Sequence, residues 1–233
     1  MHHEVAQALA QPFFYLGRGR QSFVFESQDH KYVLKLPRLD RYRTKLWMRC
    51  LAKNWARAST ARKEMRKAFV FNSFQIAAQE LREETALLYL HLGKTEHLPK
   101  LLLHDRMGRS FFIPLNDQMF VLQRKIPLAF PLLKEHLAQK DARSSQEMVD
   151  KFLDLLLIRA KKRIFNRDSN FFANFGYAEG KFYQIDLGSF HKKDQNEKTC
   201  FMEGVHQIRS LIAEDDALCQ WLDLRAEALC DTL

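Results

Sequence analysis

Short β-rich runs come first along the chain. Ser22-Phe23-Val24-Phe25-Glu26 and Tyr32-Val33-Leu34-Lys35-Leu36 flank a polar turn, Ser27-Gln28-Asp29-His30-Lys31, so residues 13–36 are expected to be strands, ended by Pro37. From 40 to 68 the period changes. Trp47, Leu51 and Trp55 recur at i, i+4 and i+8, while Lys45, Arg49, Lys53 and Arg57 recur two positions out of phase, about 200° around a helix. A second helix is expected over about 69–92. Phe74, Ala77, Leu81, Leu88 and Leu92 mark its buried face, and Gly93 is its stop. Residues 98–103, 110–113 and 119–123 read as three more strands, joined by turns at 105–108 and 114–117. Past Pro127 and Pro131 the pattern is helical, most clearly from Ser144-Ser145 to about Lys162, with Glu147 in the first turn. A polar loop at 166–170 then leads into a hairpin. Its second strand, 182–185, runs into Asp186-Leu187-Gly188. Residues 203–233 return to helical spacing.

This order predicts an α+β chain of two lobes: an N-lobe with a small antiparallel sheet over 1–123, carrying a helical insertion at 38–68, and a mostly helical C-lobe over 124–233. The composition agrees with packed lobes. Hydrophobic residues are 46% of 233, with 19 Phe and only 8 Gly and 6 Pro, which excludes disordered and collagen-like chains. Cys50, Cys200, Cys219 and Cys230 form no C-x-x-C pair, and four thiols in a chain of this size point to a reduced, cytoplasmic setting. No secretory signal is read at the start, and the richest apolar run, 152–158, is far too short to span a bilayer.

Charge changes the picture at one place. The net charge is +9, and residues 38–67 hold eleven basic residues against two acids, which is the whole excess; elsewhere 26 basic residues balance 26 acidic ones. Three readings of this insertion stand, in this order: a solvated helical hairpin resting its tryptophans on the N-lobe, a helix lying on an anionic membrane surface, and a nucleic-acid contact. The last ranks lowest because the aromatics are segregated from the cations rather than interleaved with them.

Candidate chemistry lies at five places. Gly17-Arg18-Gly19-Arg20-Gln21-Ser22 joins two strands. A Walker A loop would need G-K-[ST] and a following helix, and a dinucleotide fingerprint would also need the helix, so this turn fits a flap laid over phosphates by its backbone N–H groups. Lys35 stands on an apolar strand, where a buried ammonium requires an anionic partner. Glu84 falls on the apolar side of the expected second helix, with Glu80 one turn earlier as the alternative. Asp168 and Asn174, with Asn170 also available, and Asp186 after its strand supply the hard oxygen ligands that Mg²⁺ takes alongside substrate phosphates. Each is also ordinary turn or surface chemistry when taken alone.

In this order the five places resemble the protein-kinase-like superfamily over roughly residues 13–190. The resemblance implies a kinase-like fold and ATP-dependent transfer of a phosphoryl group to a hydroxyl, with ATP and Mg²⁺ bound. Gly17, Gly19 and Ser22 resemble the phosphate flap, Lys35 and Glu84 the lysine–glutamate pair, and Asp168 the catalytic base, preceded by Arg167. Asn174 and Asp186 resemble the metal ligands, and residues 119–124, with Gln123, the strand and hinge that hold adenine. Asn166 stands where a histidine is usual, and Asn174 comes six residues after Asp168 rather than five. Only 45 residues follow Gly188, with no Ala-Pro-Glu. Such compactness is similar to RIO kinases, lipopolysaccharide-core sugar kinases and PhoP-regulated kinase-like proteins of bacteria, the last by the stretch from Leu16 to Phe25. A pseudokinase acting as a nucleotide-responsive binding module is the alternative. Protein, sugar and lipid hydroxyls are all open as acceptors.

Overall fold

The computed structural model describes residues 3–39, 53–168 and 170–233, with side chains described from residue 60 onward in the helix that opens at Lys53. The expected tryptophan and lysine–arginine faces of residues 40–59 therefore lie outside what is described. The chain forms two compact units, one of residues 1–78 and 87–125 and the other of residues 79–86 and 126–233.

The first unit is a seven-stranded sheet in the order β4-β7-β3-β2-β1-β5-β6. Its strands are β1 (Phe13–Arg18), β2 (Ser22–Ser27), β3 (Tyr32–Pro37), β4 (Leu87–His91), β5 (Lys100–His104), β6 (Ser110–Pro114) and β7 (Phe120–Arg124). The sheet is mixed rather than wholly antiparallel, because the β5–β6 hairpin joins β1 in parallel through Phe13↔Leu103 and Phe14↔His104. Period-two alternation sends Phe13, Phe25, Leu34, Leu103, Phe120 and Leu122 to one face. There they bury against Val5, Ala8 and Leu9 of a short N-terminal helix, α1 (His3–Leu9). The sequence pattern gave no sign of α1, which is only seven residues long.

The expected boundary between helices at 68 and 69 does not exist. One helix, α2 (Lys53–Glu80), runs through it and stops twelve residues before Leu92. The Thr85 backbone N–H and hydroxyl both donate to Leu81 O, Ala86 takes φ +53°, and the chain turns back as β4. Leu88 and Leu92 keep helical spacing with Leu81, but a five-residue apolar run is equally compatible with a strand. The free edge of β7 decides the matter: Leu87 pairs with Gln123, Leu90 with Val121 and His91 with Phe120. Buried His91 then donates from Nδ1 to Gln118 O at 2.6 Å.

The second unit gathers α3 (Ala129–Ala138), α4 (Ala142–Lys161), α5 (Phe171–Asn174), α6 (Glu197–Leu211) and α7 (Asp216–Cys230) around Phe152, Leu156, Phe201, Val205 and Leu222. It also holds two small antiparallel pairs: β8 (Ile164–Asn166) with β11 (Phe190–Lys192), and β9 (Phe175–Ala178) with β10 (Lys181–Gln184). Asp141 caps α4 by accepting from Ser144 N–H, so this helix begins before Ser144 and Glu147 lies beyond its first turn. Asn196 caps α6 in the same way, so the helix starts at Glu197, six residues ahead of the expected start at 203. Gly204 lets α6 close on α4, since a Cβ there would lie 2.4 Å from Leu156 Cδ2. Among the described residues no helix is long and apolar enough to cross a membrane.

Candidate functional site

In the first unit, register collects the flap and the lysine on one face of the sheet. Strict alternation would leave Gly17 on the Tyr15 side, with the core. A bulge between these two residues places Gly17 opposite Val24, on the other face. Val24 pairs with Lys35, and Lys35 with Val121. Residues directly opposite one another share a face, so Gly17, Val24, Lys35 and Val121 make one cross-strand row away from the packed core. Val33 and Gln123 form the next row, with Gln123 2% exposed. Lys35 itself is half-buried.

The flap is tight. Gly19 N–H donates to Ser22 O at 2.9 Å. A Cβ built at Gly17 meets no described atom within 4 Å, and its φ is not in the left-handed region. Internal packing therefore does not demand a glycine there. Open room beneath a backbone on the lysine's own face fits a phosphate chain.

In the second unit, Asp168, Asn174 and Asp186 are drawn together by backbone bonds. Asn166 pairs with Phe190 across β8 and β11. One residue on, Arg167 N–H donates to Ser189 O at 3.1 Å, and Ile185 N–H donates to Asn174 O at 2.8 Å. The loop after β8 thus lies alongside the segment after β10. Asn166 braces the Asp168 turn from both sides. Its Nδ2 donates to Asp168 O at 2.9 Å, and its Oδ1 accepts from Asp168 N–H at 3.1 Å. Asp168 Oδ1 accepts from Asn170 N–H, which leaves Oδ2 with no bond from described residues. Asp186 is held likewise, with Oδ1 accepting from Gly188 N–H at 3.1 Å.

The six-residue step from Asp168 to Asn174 has a structural cause. Residues 171–174 form one helical turn, and Phe171 and Phe175, four apart, both pack on Phe152 of α4 with ring centroids 5.1 and 5.0 Å away. Asn174 is carried on the same turn, 4% exposed, with Nδ2 3.5 Å from Asp168 O. Asn170 is exposed. Of the two asparagines, Asn174 is the one fixed between the loops. The Phe171–Phe175 spacing was visible in the sequence and is the signal that would have located this turn.

Glu84 sits in the turn after α2, not on the helix. Its Oε1 is 3.9 Å from Lys162 Nζ, and its backbone carbonyl accepts from Gln184 N–H. Glu80, the last residue of α2, pairs with Lys192 at 2.8 Å. Sequence reasoning picked out neither lysine partner.

The donor set bears on the metal. Among the described residues no group of three or more His, Cys, Asp or Glu gathers to hold an ion. Asp186 and Asn174 offer two hard oxygens and leave the other positions for phosphate and water, which is how Mg²⁺ is usually bound. The described cysteines are free thiols. Burial pushes Cys200 up to about 11, so it is neutral and unreactive at ordinary pH.

No family model matches this chain, and no curated protein does. Solved structures do. The chain aligns with a crystal structure of WbdD over 95% of its own length, with a TM-score of 0.50 and 16% identity. A second structure of that protein, described as a bifunctional kinase-methyltransferase, aligns over 94% of this chain and 44% of its own with a TM-score of 0.44 and 15% identity. The fold is protein-kinase-like. The LegK7 effector kinase of Legionella pneumophila aligns over 74% of this kinase-like chain and 31% of its own, with a TM-score of 0.36 and 11% identity. The chain spans 46% of the length of WbdD.

Proposed function

We propose that this kinase-like chain is a small phosphotransferase that binds Mg-ATP and passes the γ-phosphoryl group to a hydroxyl acceptor. The observation that carries the reading is the backbone lacing of the Asp168 and Asp186 loops, which sets a carboxylate with an open oxygen beside a second, hard-ligand pair. In the proposal the flap at Gly17, Gly19 and Ser22 covers the phosphates, Lys35 holds the α- and β-phosphates, Glu84 fixes the lysine, and Gln123 lies under the adenine. Asp186 and Asn174 would hold magnesium, which when bound neutralises charge on the transferring group. Asp168 orients the acceptor hydroxyl and takes its proton. The acceptor oxygen forms a bond to the γ-phosphorus, the bond from that phosphorus to the β–γ bridging oxygen breaks, and ADP leaves.

The test is Mg-dependent phosphate transfer from ATP by the full chain, compared with Asp168→Asn. Turnover is expected to fall about 10²- to 10⁴-fold, the usual worth of a positioned base, with Mg-ATP affinity nearly unchanged. Nucleotide binding without any transfer in the wild type would instead mark a pseudokinase module. The basic insertion at 38–67 is proposed to hold the protein against an anionic membrane surface from the cytoplasmic side.

A further inference from the structure

We propose that the acceptor is a neutral sugar ring, seated in a cavity beside the Asp168 loop; this rests on the phosphotransfer reading above. The cavity holds about 200 Å³ and lies wholly within the second unit. It is lined by Asn170, Phe171 and Phe172 at the start of α5 and by Gln207, Ser210 and Leu211 at the end of α6. It adjoins the candidate base directly, because the Asn170 N–H that opens α5 donates to Asp168 Oδ1 at 3.1 Å.

The lining defines the ligand's chemistry. None of the six residues is charged. A phosphorylated headgroup or an acidic peptide would call for cationic partners in such a place. The Asn170 and Gln207 amides bond to no described residue, so each offers two N–H donors and a carbonyl acceptor to an incoming group. The Ser210 hydroxyl donates to Gln207 O at 2.8 Å, which leaves its lone pairs to accept. Phe172 supplies the apolar element. Phe171 is buried in the core, but Phe172 is 49% exposed, with its ring braced edge-on by Phe130 at 4.2 Å. Neutral donors and acceptors around one open aromatic ring match a polyol ring, which is hydroxylated at its rim and apolar on its C–H face. The volume agrees. Pockets for drug-sized ligands hold roughly 300–1,000 Å³, so this smaller one matches a single ring. A ring hydroxyl pointing from the cavity toward Asp168 gives its proton to Oδ2 as its oxygen bonds to the γ-phosphorus of Mg-ATP and ADP departs.

The experiment is saturation-transfer NMR on the full chain with methyl glucoside, methyl galactoside and methyl mannoside, each at about 10 mM, read without nucleotide. At least one hexoside is expected to bind. Its signal should fall about fivefold in Gln207→Leu, the loss of one hydrogen bond, fall also in Phe172→Ala, which removes the apolar face, and survive in Phe172→Tyr; melts without ligand confirm that the variants fold. On adding Mg-ATP the same hexoside should become a phosphate monoester. If no hexoside binds, if both variants bind it as wild type does, or if a serine peptide is phosphorylated while the hexosides are not, the sugar assignment is overturned. The Mg-ATP melt shift, measured on wild type without sugar, reports separately on the phosphotransfer reading.

Discussion

Gly17 and Gly204 are both small residues with opposite reasons. At Gly17 the space a side chain would occupy is open, whereas at Gly204 it is filled by Leu156. Gly17→Val is therefore expected to leave the thermal melt within a few degrees of wild type and to weaken Mg-ATP binding by crowding the flap. Gly204→Ala should instead cost about 1–3 kcal/mol through overpacking and leave nucleotide affinity intact. Paired melts with and without Mg-ATP check both. If Gly17→Val bound Mg-ATP as wild type does, the flap would have no role at that position. At this scale the sequence was readable where a residue type is rare in its context, as with a lysine on an apolar strand or two glycines in a strand turn. It was not readable where the partner is distant: nothing near Glu84 or Glu80 in the chain announces Lys162 or Lys192.

Elements were legible when periodicity and punctuation agreed. β2, β3 and the hairpin of β5 and β6 stand between clear turns, and their alternation assigns Lys35 and Val33 to one face and Leu34 and Leu36 to the other. The three-residue strands β8 and β11 carry too little pattern to be seen, yet they align the two aspartate loops. The stretch 87–91 failed for another reason: tertiary pairing with β7 overrode a helical spacing that continued past Glu80. β11 also makes a testable contribution to stability. His191 is held below the usual histidine range by burial, with Arg167 and Lys193 adding to the effect and Ser189 O and Glu203 opposing it. The unfolded chain then takes up this proton at a higher pH than the folded one does. The stabilisation is whole above the unfolded value near 6.5 and is lost as pH falls from there toward the lower folded value. Urea melts between pH 8 and 5 should show this decline, and His191→Phe should flatten it. An unchanged slope in that variant would place the titration on another group.

At the scale of the molecule, the charge arithmetic sets the basic insertion apart from an otherwise balanced chain. Each cation near an anionic leaflet contributes about 1 kcal/mol, screened beyond a Debye length. Reversing Lys45, Arg49, Lys53 and Arg57 to Glu is expected to abolish flotation with phosphatidylglycerol-containing vesicles while leaving the response to Mg-ATP intact. Wild-type protein that ignores such vesicles at low salt, or that binds RNA in their place, would remove the membrane assignment. The kinase-like fold was legible from the order of five modest signals. The mixed sheet, the packing of α1 and the cavity beside the Asp168 loop were not, because each depends on segments far apart in the chain.

The proposed function rests on Mg-ATP binding in which Lys35 and Asp186 both take part. The thermal melt of the full chain with Mg-ATP tests it most directly. At about 100 times the dissociation constant, binding adds roughly 2.7 kcal/mol, which for a chain of this size raises the midpoint by roughly 5–10 °C. That shift should shrink in both Lys35→Ala and Asp186→Ala. A folded wild-type protein whose melt is unmoved by millimolar Mg-ATP, or a shift that survives intact in both variants, would contradict the account.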